Sequence, residues 1–283
     1  MSTSAEATKA LTGPVHVSGE LLAARRIGGH HHLTVVAPGI AERFRPGTFV
    51  ALSTGPSRLA RRALWIHKVK PVGGYGAALE LVVEVRGPGT EWLVAQPAGS
   101  RLEVTGPLGR AFSLPKQPVG CLLVGEGYAA ATLFPLAERL RERSCPVTLL
   151  VAAPDEAHLL SALEARRTAR AVTVVTADGS VGTRGSVADV IGDVLERSRA
   201  EVVYAAGLAP TLHAVAAAAE GAGAWSQVAL EQPLTCATGL CQGCVVPVTG
   251  EGGHRRHVRA CVDGPVFRGD RVVWREIAGV VAP

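Results

Sequence analysis

From Val15 to about Phe112 the apolar positions fall in short runs separated by Gly- and Pro-containing turns. VHVSGELLAARRI, HHHLTVVAPG, TFVALST, ALWIHKVKPV, ALELVVEVRG and SRLEVTGPLG each alternate or run apolar. Six such runs with turn signals between them predict a small antiparallel β-barrel. After Pro118 the rhythm changes. CLLVGEG, VTLLVAA, AVTVVTA and EVVYAAG are compact apolar runs of strand length. Between and after them, AAATLFPLAERLRERS, DEAHLLSALEARR, GSVADVIGDVLERS and TLHAVAAAAEG read as helices. Strands alternating with helices predict an α/β doubly wound parallel sheet. Pro135 is expected to kink the first helix, and an Asp cap to open the second. From about Gln232 the chain is Gly- and Cys-rich, with one expected hairpin in CVVPVTGEGGHRRHVRAC. The expected organisation is multidomain: a loose tail at 1–13, a barrel at 14–116, an α/β unit at 117–231 and a small cysteine-bearing unit at 232–283.

Composition narrows the function classes. The 283 residues are 47% hydrophobic but only 4% aromatic, so the cores must be built from Ala, Val and Leu. The net charge of +5 comes from 29 basic residues, mostly Arg, scattered among 24 acids. No basic run and no interleaved aromatics mark a nucleic-acid surface. No apolar run reaches the roughly 18 residues of a membrane span. The most apolar stretch, AVAAAAEGAGAWSQVAL, is broken by Glu220 and glycines. The N-terminus lacks the apolar core of a signal peptide. A cytoplasmic protein is expected, and there clustered cysteines usually bind metal.

The cysteines carry the sharpest signal. Cys236-x4-Cys241-x2-Cys244 is followed sixteen residues later by Cys261. The first three match the plant-type ferredoxin spacing for a [2Fe–2S] cluster, which takes a fourth, more distant thiolate. Gly239 and Gly243 would let backbone amides approach the sulfurs. Zinc is the alternative, although structural zinc sites more often use two CxxC pairs and only one is present. Cys121 and Cys145 read as small core residues. His30, His31 and His32 are expected on a partly exposed strand, because neighbours in a strand face opposite sides. His254 and His257, with Arg255, Arg256 and Arg259, read either as a solvated basic face or as a positive field over the cysteine cluster.

Three glycine loops complete the pattern. VGEGYAA fits a relaxed G-x-G-x-x-A at Gly125, Gly127 and Ala130, following a strand and opening a helix. Its amides either hold a pyrophosphate or merely form a tight βα turn. Glu126 there would repel a phosphate. RGPGTEWL and GPLGRAF lie in the barrel half, where Gly87, Gly89 and Thr90 offer flexible backbone and a hydroxyl to an anion.

Barrel, nucleotide-type α/β unit and C-terminal x4/x2 cysteine cluster together resemble the electron-transfer subunit of NAD-dependent dihydroorotate dehydrogenase, a branch of the ferredoxin-reductase superfamily. The resemblance runs from about Gly19 to Phe267. It is carried by APGIAERFRPGTFVAL, GPGTEWL, GPLGRAF and DGSVGTRGSV, and most specifically by EQPLTCATGLCQGCVVPV and CVDGPVF. It implies FAD in the barrel, NAD(H) on the α/β unit and a [2Fe–2S] cluster facing a separate FMN subunit that oxidises dihydroorotate to orotate. The cluster ligands would be Cys236, Cys241, Cys244 and Cys261. Arg62, with Leu64 and Trp65, falls on the flavin motif, where the arginine pairs with the FAD pyrophosphate. Gly87, Gly89 and Thr90 fall on the second flavin loop, and Gly125 and Gly127 on the NAD loop. Related expectations are another ferredoxin-reductase-like subunit, ferredoxin:NADP or hydrogenase-linked, or an iron-sulfur carrier without flavin or NAD reactivity.

Six residues, at four places, differ from the family pattern. Trp65 stands where the family has a small hydroxyl residue beside the reactive edge of the flavin. Glu126 and Ala129 replace preferred glycines, Ala206 and Leu208 interrupt a usual Cys-Gly-Pro, and Ala237 replaces a Gly. The expectation is that FAD binds while direct reduction by NADH is slow.

Overall fold

The apolar runs of the first hundred residues close a sheet on itself. The computed structural model describes residues 13–55, 59–74, 76–160 and 162–277, so the tail expected at 1–13 lies outside the described residues except for Gly13. The barrel strands are β1 (Val15–Ile27), β2 (His30–Val36), β3 (Phe49–Leu52), β4 (Arg62–Val72), β5 (Gly76–Val83) and, after the short helix α1 (Pro88–Val94), β6 (Arg101–Leu108). They pair in the order β1-β2-β5-β4-β3-β6, every pair antiparallel, and β6 returns to β1. Closure leaves no free sheet edge. Leu21, Leu33, Val50, Ile66, Leu79 and Val104 fill the interior. Each is fully buried, at a gain of about 1.5–3 kcal/mol per large aliphatic side chain.

The second unit runs β7 (Cys121–Glu126), α2 (Leu133–Glu142), β8 (Val147–Ala153), α3 (Ala162–Thr168), β9 (Ala171–Thr176), β10 (Thr183–Arg184), α4 (Val187–Ser198), β11 (Val202–Gly207), α5 (Ala209–Gly221) and β12 (Trp225–Leu230). Its strands are parallel and stand in the order β10-β9-β8-β7-β11-β12. The chain therefore builds outward from β7 in one direction, then returns to lay β11 on its other side. β7, β8 and β11 read as continuous apolar runs because helices cover both faces of the sheet. Tyr204 is buried among them. Its hydroxyl donates to the Ser113 carbonyl at 2.9 Å, and its ring meets Phe112 edge-on at 5.6 Å.

The last segment folds as a hairpin, β13 (Val245–Thr249) and β14 (Arg255–Arg259), followed by β15 (Val266–Arg268). β15 pairs antiparallel with β12 and so extends the α/β sheet by one edge strand. Among the described residues, no helix is long and apolar enough to cross a membrane.

Three local expectations change. Gly127–Thr132 is a 3-10 helix, and α2 begins only at Leu133. Pro135 thus lies in the first turn of α2, where an amide has no helical acceptor to lose, and it produces no kink. Asp155 does not open α3. Its carboxylate accepts from the amide and ring of His158 in a local turn, and the helix starts at Ala162. The histidine strand is more deeply buried than expected: His31 is partly exposed, but His30 and His32 are buried. The α/β unit covers His30, with the His30 ring bonded to the His158 carbonyl and the β1–β2 turn docked through the Gly29 amide on Ala157, while His32 packs against Glu80 and the His67 ring. Cys121 and Cys145 are core residues as expected, and burial pushes the Cys121 thiol up to about 12.

Glu80 on β5 bonds His32 on β2 and Lys70 on β4. The His32 hydrogen bond above all, then Lys70, lowers its pKa from 4.5 to about 2 despite burial. A depressed carboxylate stabilises the fold above its unfolded pKa and loses that contribution as pH falls through the folded value. Glu80→Gln should therefore lower the denaturation midpoint at pH 6, and the gap from wild type should close between about pH 4.5 and 2. Urea titrations across that range check this.

Candidate functional site

The hairpin explains the long cysteine spacing. β13 pairs with β14 from Val245↔Arg259 onward, and the Ala260 amide continues the ladder to the Cys244 carbonyl at 2.8 Å. Cys261 therefore returns beside Cys244, with sulfurs 3.3 Å apart. The other two thiols form a second pair in the loop: the Cys241 amide donates to the Cys236 sulfur at 3.4 Å. Cys244 and Cys261 are buried, Cys236 is half-buried and Cys241 is exposed. Burial, and then Cys244, push the Cys261 thiol up to about 12. At Cys236 burial pushes up too, but the amides of Cys241 and Thr238 outweigh it and pull the thiol down to about 6.

The loop needs unusual backbone. Gly239 has φ +86°, and a Cβ there would lie 2.6 Å from a Val262 methyl. Ala237 (φ +60°) and Gln242 (φ +55°) hold left-handed conformations without being glycine. Arg259 of the basic hairpin does not face solvent as a free charge, since its guanidinium donates to the Gly239 carbonyl at 2.8 Å. Arg255 pairs with Glu276 at 2.5 Å, whereas the guanidinium groups of Arg256 and Arg259 have no carboxylate partner among the described residues. The loop tip is apolar and open: Leu240 is 84% exposed, and Val245 and Val262 are partly exposed nearby.

On the barrel, two neighbouring cavities of about 350 and 310 Å³ share Arg62, Ala63, Leu64 and Tyr128 in their walls. The smaller is bounded by Arg86, Gly87 and Thr90, the larger by Trp65 and the 230–235 segment. Arg62 has no carboxylate partner among the described residues; it donates to the carbonyls of Ala60 and Arg61. Its guanidinium lies across Gly89, where a Cβ would run into it. The Thr90 hydroxyl is not free for a ligand, because it caps its own turn, accepting from the Arg86 and Gly87 amides and donating to the Gly87 carbonyl. Trp65 does not turn into the barrel interior. It packs edge-on to Phe49 in the core shared with the α/β unit, and its Nε1 donates to Glu231 at 3.0 Å.

In the α/β unit, Gly125 is needed for close packing, since a Cβ there would meet that of Ala130 at 2.6 Å. Gly127 is needed for its φ of +56°. Together they form the tight turn that the sequence pattern requires. Residues that sequence reading did not single out also converge here. Glu231, just past β12, accepts from Trp65 and from the Tyr128 hydroxyl. Arg86 lies 4.6 Å from the Tyr128 ring centre. Burial raises the pKa of Glu231 and, with Glu231 beside it, of Tyr128. Glu231 follows the carboxyl end of β12, a strand the sequence reading did not assign, and that position is the signal that would have pointed to it.

The relatives agree with this architecture. The profile of the iron-sulfur cluster binding domain of dihydroorotate dehydrogenase B matches residues 231–273. The dihydroorotate dehydrogenase B (NAD(+)) electron transfer subunit of Desulforamulus reducens is 31% identical over 246 residues, 86% of this chain and 92% of that protein. This chain belongs to that family of electron transfer subunits. The subunit from Geobacillus thermodenitrificans is 32% identical over 86% of this chain and 92% of its own. A Thermotoga maritima electron transfer subunit homolog is 31% identical over 85% and 82%. Among solved structures, a chain of the NADH-dependent reduced ferredoxin-NADP oxidoreductase superposes with a TM-score of 0.79 at 29% identity, covering 92% of this chain and 91% of that one. The ferredoxin reductase of carbazole 1,9a-dioxygenase, at 20% identity and a TM-score of 0.63, shares the fold, over 75% of this chain and 67% of its own.

The left-handed backbone at Ala237 is open to test. A non-Gly residue in this left-handed conformation costs on the order of 1 kcal/mol. Ala237→Gly should recover about that much stability, read as a higher denaturant midpoint of the holoprotein.

Proposed function

We propose that the chain carries electrons between a partner FMN dehydrogenase, which oxidises dihydroorotate in pyrimidine biosynthesis, and NAD, using a [2Fe–2S] cluster and FAD. The observation that carries this reading is the arrangement of the thiols in two pairs. A two-iron cluster takes two thiolates per iron, so Cys236 with Cys241 would hold one iron and Cys244 with Cys261 the other. The Cys241 amide at the Cys236 sulfur supplies a donor that favours thiolate there.

The barrel cavities fit a flavin nucleotide. Arg62 offers an unpaired guanidinium beside the Gly87–Thr90 turn for the pyrophosphate, and Leu64 and Trp65 border the adjoining space for the ring. Flavin supplies the exchange between one-electron traffic and two-electron hydride chemistry. Residues 14–116 would then be the flavin unit, 117–231 the nucleotide unit, with Gly125 and Gly127 on its phosphate loop, and 232–283 the cluster unit. Leu240, Val245 and Val262 form the apolar contact around which the FMN subunit docks. The cytoplasm is the compartment in which such a reduced cysteine cluster persists. A second reading, a subunit serving a ferredoxin-type partner, is favoured by the likeness to the ferredoxin-NADP oxidoreductase chain.

Anaerobic purification with iron, sulfide and flavin counted per chain tests the proposal. About two irons and two labile sulfides are expected per chain. Cys241→Ser should abolish the cluster's visible and EPR signals, while Cys121→Ser leaves them intact. Zinc without labile sulfide would refute it. Arg62→Ala should weaken FAD binding by about 1.5–3 kcal/mol, as loss of a charge-assisted hydrogen bond does, without changing iron content. Co-purification with the FMN subunit rather than a ferredoxin separates the two readings.

A further inference from the structure

The chain reverses its strand order between β7 and β11. Open α/β sheets receive nucleotides there, in the crevice outside the carboxyl ends of the strands. In this protein that crevice is crossed by the chain's own side chains. Glu126, the last residue of β7, reaches over the end of β11, and its Oε2 accepts from the Leu208 amide at 3.0 Å. The carboxylate lies close against β11, since a Cβ on Gly207 would come within 2.8 Å of the Glu126 Cβ. Two residues further on, the Tyr128 hydroxyl donates to Glu231. β11 stands between β7 and β12, so this bond spans the mouth of the crevice. The barrel ties it down from above: Trp65 donates to Glu231, and Arg86 lies over the Tyr128 ring with its Nη1 3.7 Å from the Glu231 carboxylate.

We propose that Glu126, Tyr128 and Glu231 latch the nucleotide crevice in the resting chain, so that a nicotinamide dinucleotide enters only by displacing them. This rests on the reading that the α/β unit takes NAD(H). A pyrophosphate and the Glu126 carboxylate cannot share the Leu208 amide, and their like charges repel. Tyr128 and Glu231 both wall the larger barrel cavity, so a planar ring approaching from the crevice must part them. Opening the latch is paid out of the nucleotide's binding energy, which lowers its apparent affinity by the fraction of open chain.

Titration calorimetry of NAD⁺ into the full-length holoprotein tests the latch. Glu126→Ala and Tyr128→Ala should each bind NAD⁺ at least about tenfold more tightly than wild type, with Tyr128→Phe, which keeps the ring and loses only the hydroxyl, in between. Thermal unfolding confirms that each variant is folded. Equal affinity in all four proteins overturns the latch. Weaker binding by the variants overturns it as well, because the residues are then contacts of the nucleotide rather than obstacles to it. No binding by any of them also counts against it, since an opened crevice should bind. Iron, sulfide and flavin are counted on the same samples. A chain lacking them refutes the electron-transfer reading, while the calorimetric comparison, which needs neither group, still decides the latch.

Discussion

Glu231 is the carboxylate that joins barrel and sheet beside the cavities at Arg62. It follows β12, takes hydrogen bonds from Trp65 on the barrel and Tyr128 on the βα turn, and faces Arg86 on the barrel's last loop. A half-buried carboxylate is costly unless donors satisfy it. Here the donors come from both units, so neither unit alone meets that requirement. Trp65 and Tyr128 are held in place by the same group, and with them the walls of the cavities beside Arg62.

The electrostatics around the cysteines follow a different logic. Cys244 and Cys261 are buried, and burial holds the Cys261 thiol above its ordinary range, while Cys236 is eased toward thiolate by amide donors. The basic residues nearby are mostly occupied: Arg259 braces the loop through the Gly239 carbonyl, and Arg255 is neutralised by Glu276. What the cluster end presents outward is apolar, led by Leu240. A partner would therefore recognise this end more by hydrophobic contact than by charge.

Much of the fold was legible because it is written in periodicity. All six barrel runs and four strands of the parallel sheet appear where alternation and apolar runs place them, while β10 and β12 were not read. The cysteine pairs were legible because a hairpin of ordinary length fixes the x16 spacing. What was hidden depends on contacts between units. The burial of His30 comes from the 157–158 turn of the α/β unit, far away in sequence. The role of Glu231 requires Trp65, some 166 positions earlier in the chain. Asp155 looked like a helix cap, but His158 offered it a nearer partner. The Thr90 hydroxyl looked available, yet its own turn claims it.

The return of β15 to the edge of the parallel sheet has a bearing on how fast the molecule can work. The cysteine segment leaves from β12 and comes back to pair with that same strand, at Val228↔Phe267 and its neighbours. Both ends of the segment are thus anchored to one rigid support, and it cannot swing like a module on a single flexible leash. Tunnelling rates fall off with the gap between donor and acceptor, and anchoring of this kind fixes the gap inside the chain. Of the gaps an electron crosses to reach a partner, the one free to vary is then the outer junction, where a second protein arrives and departs.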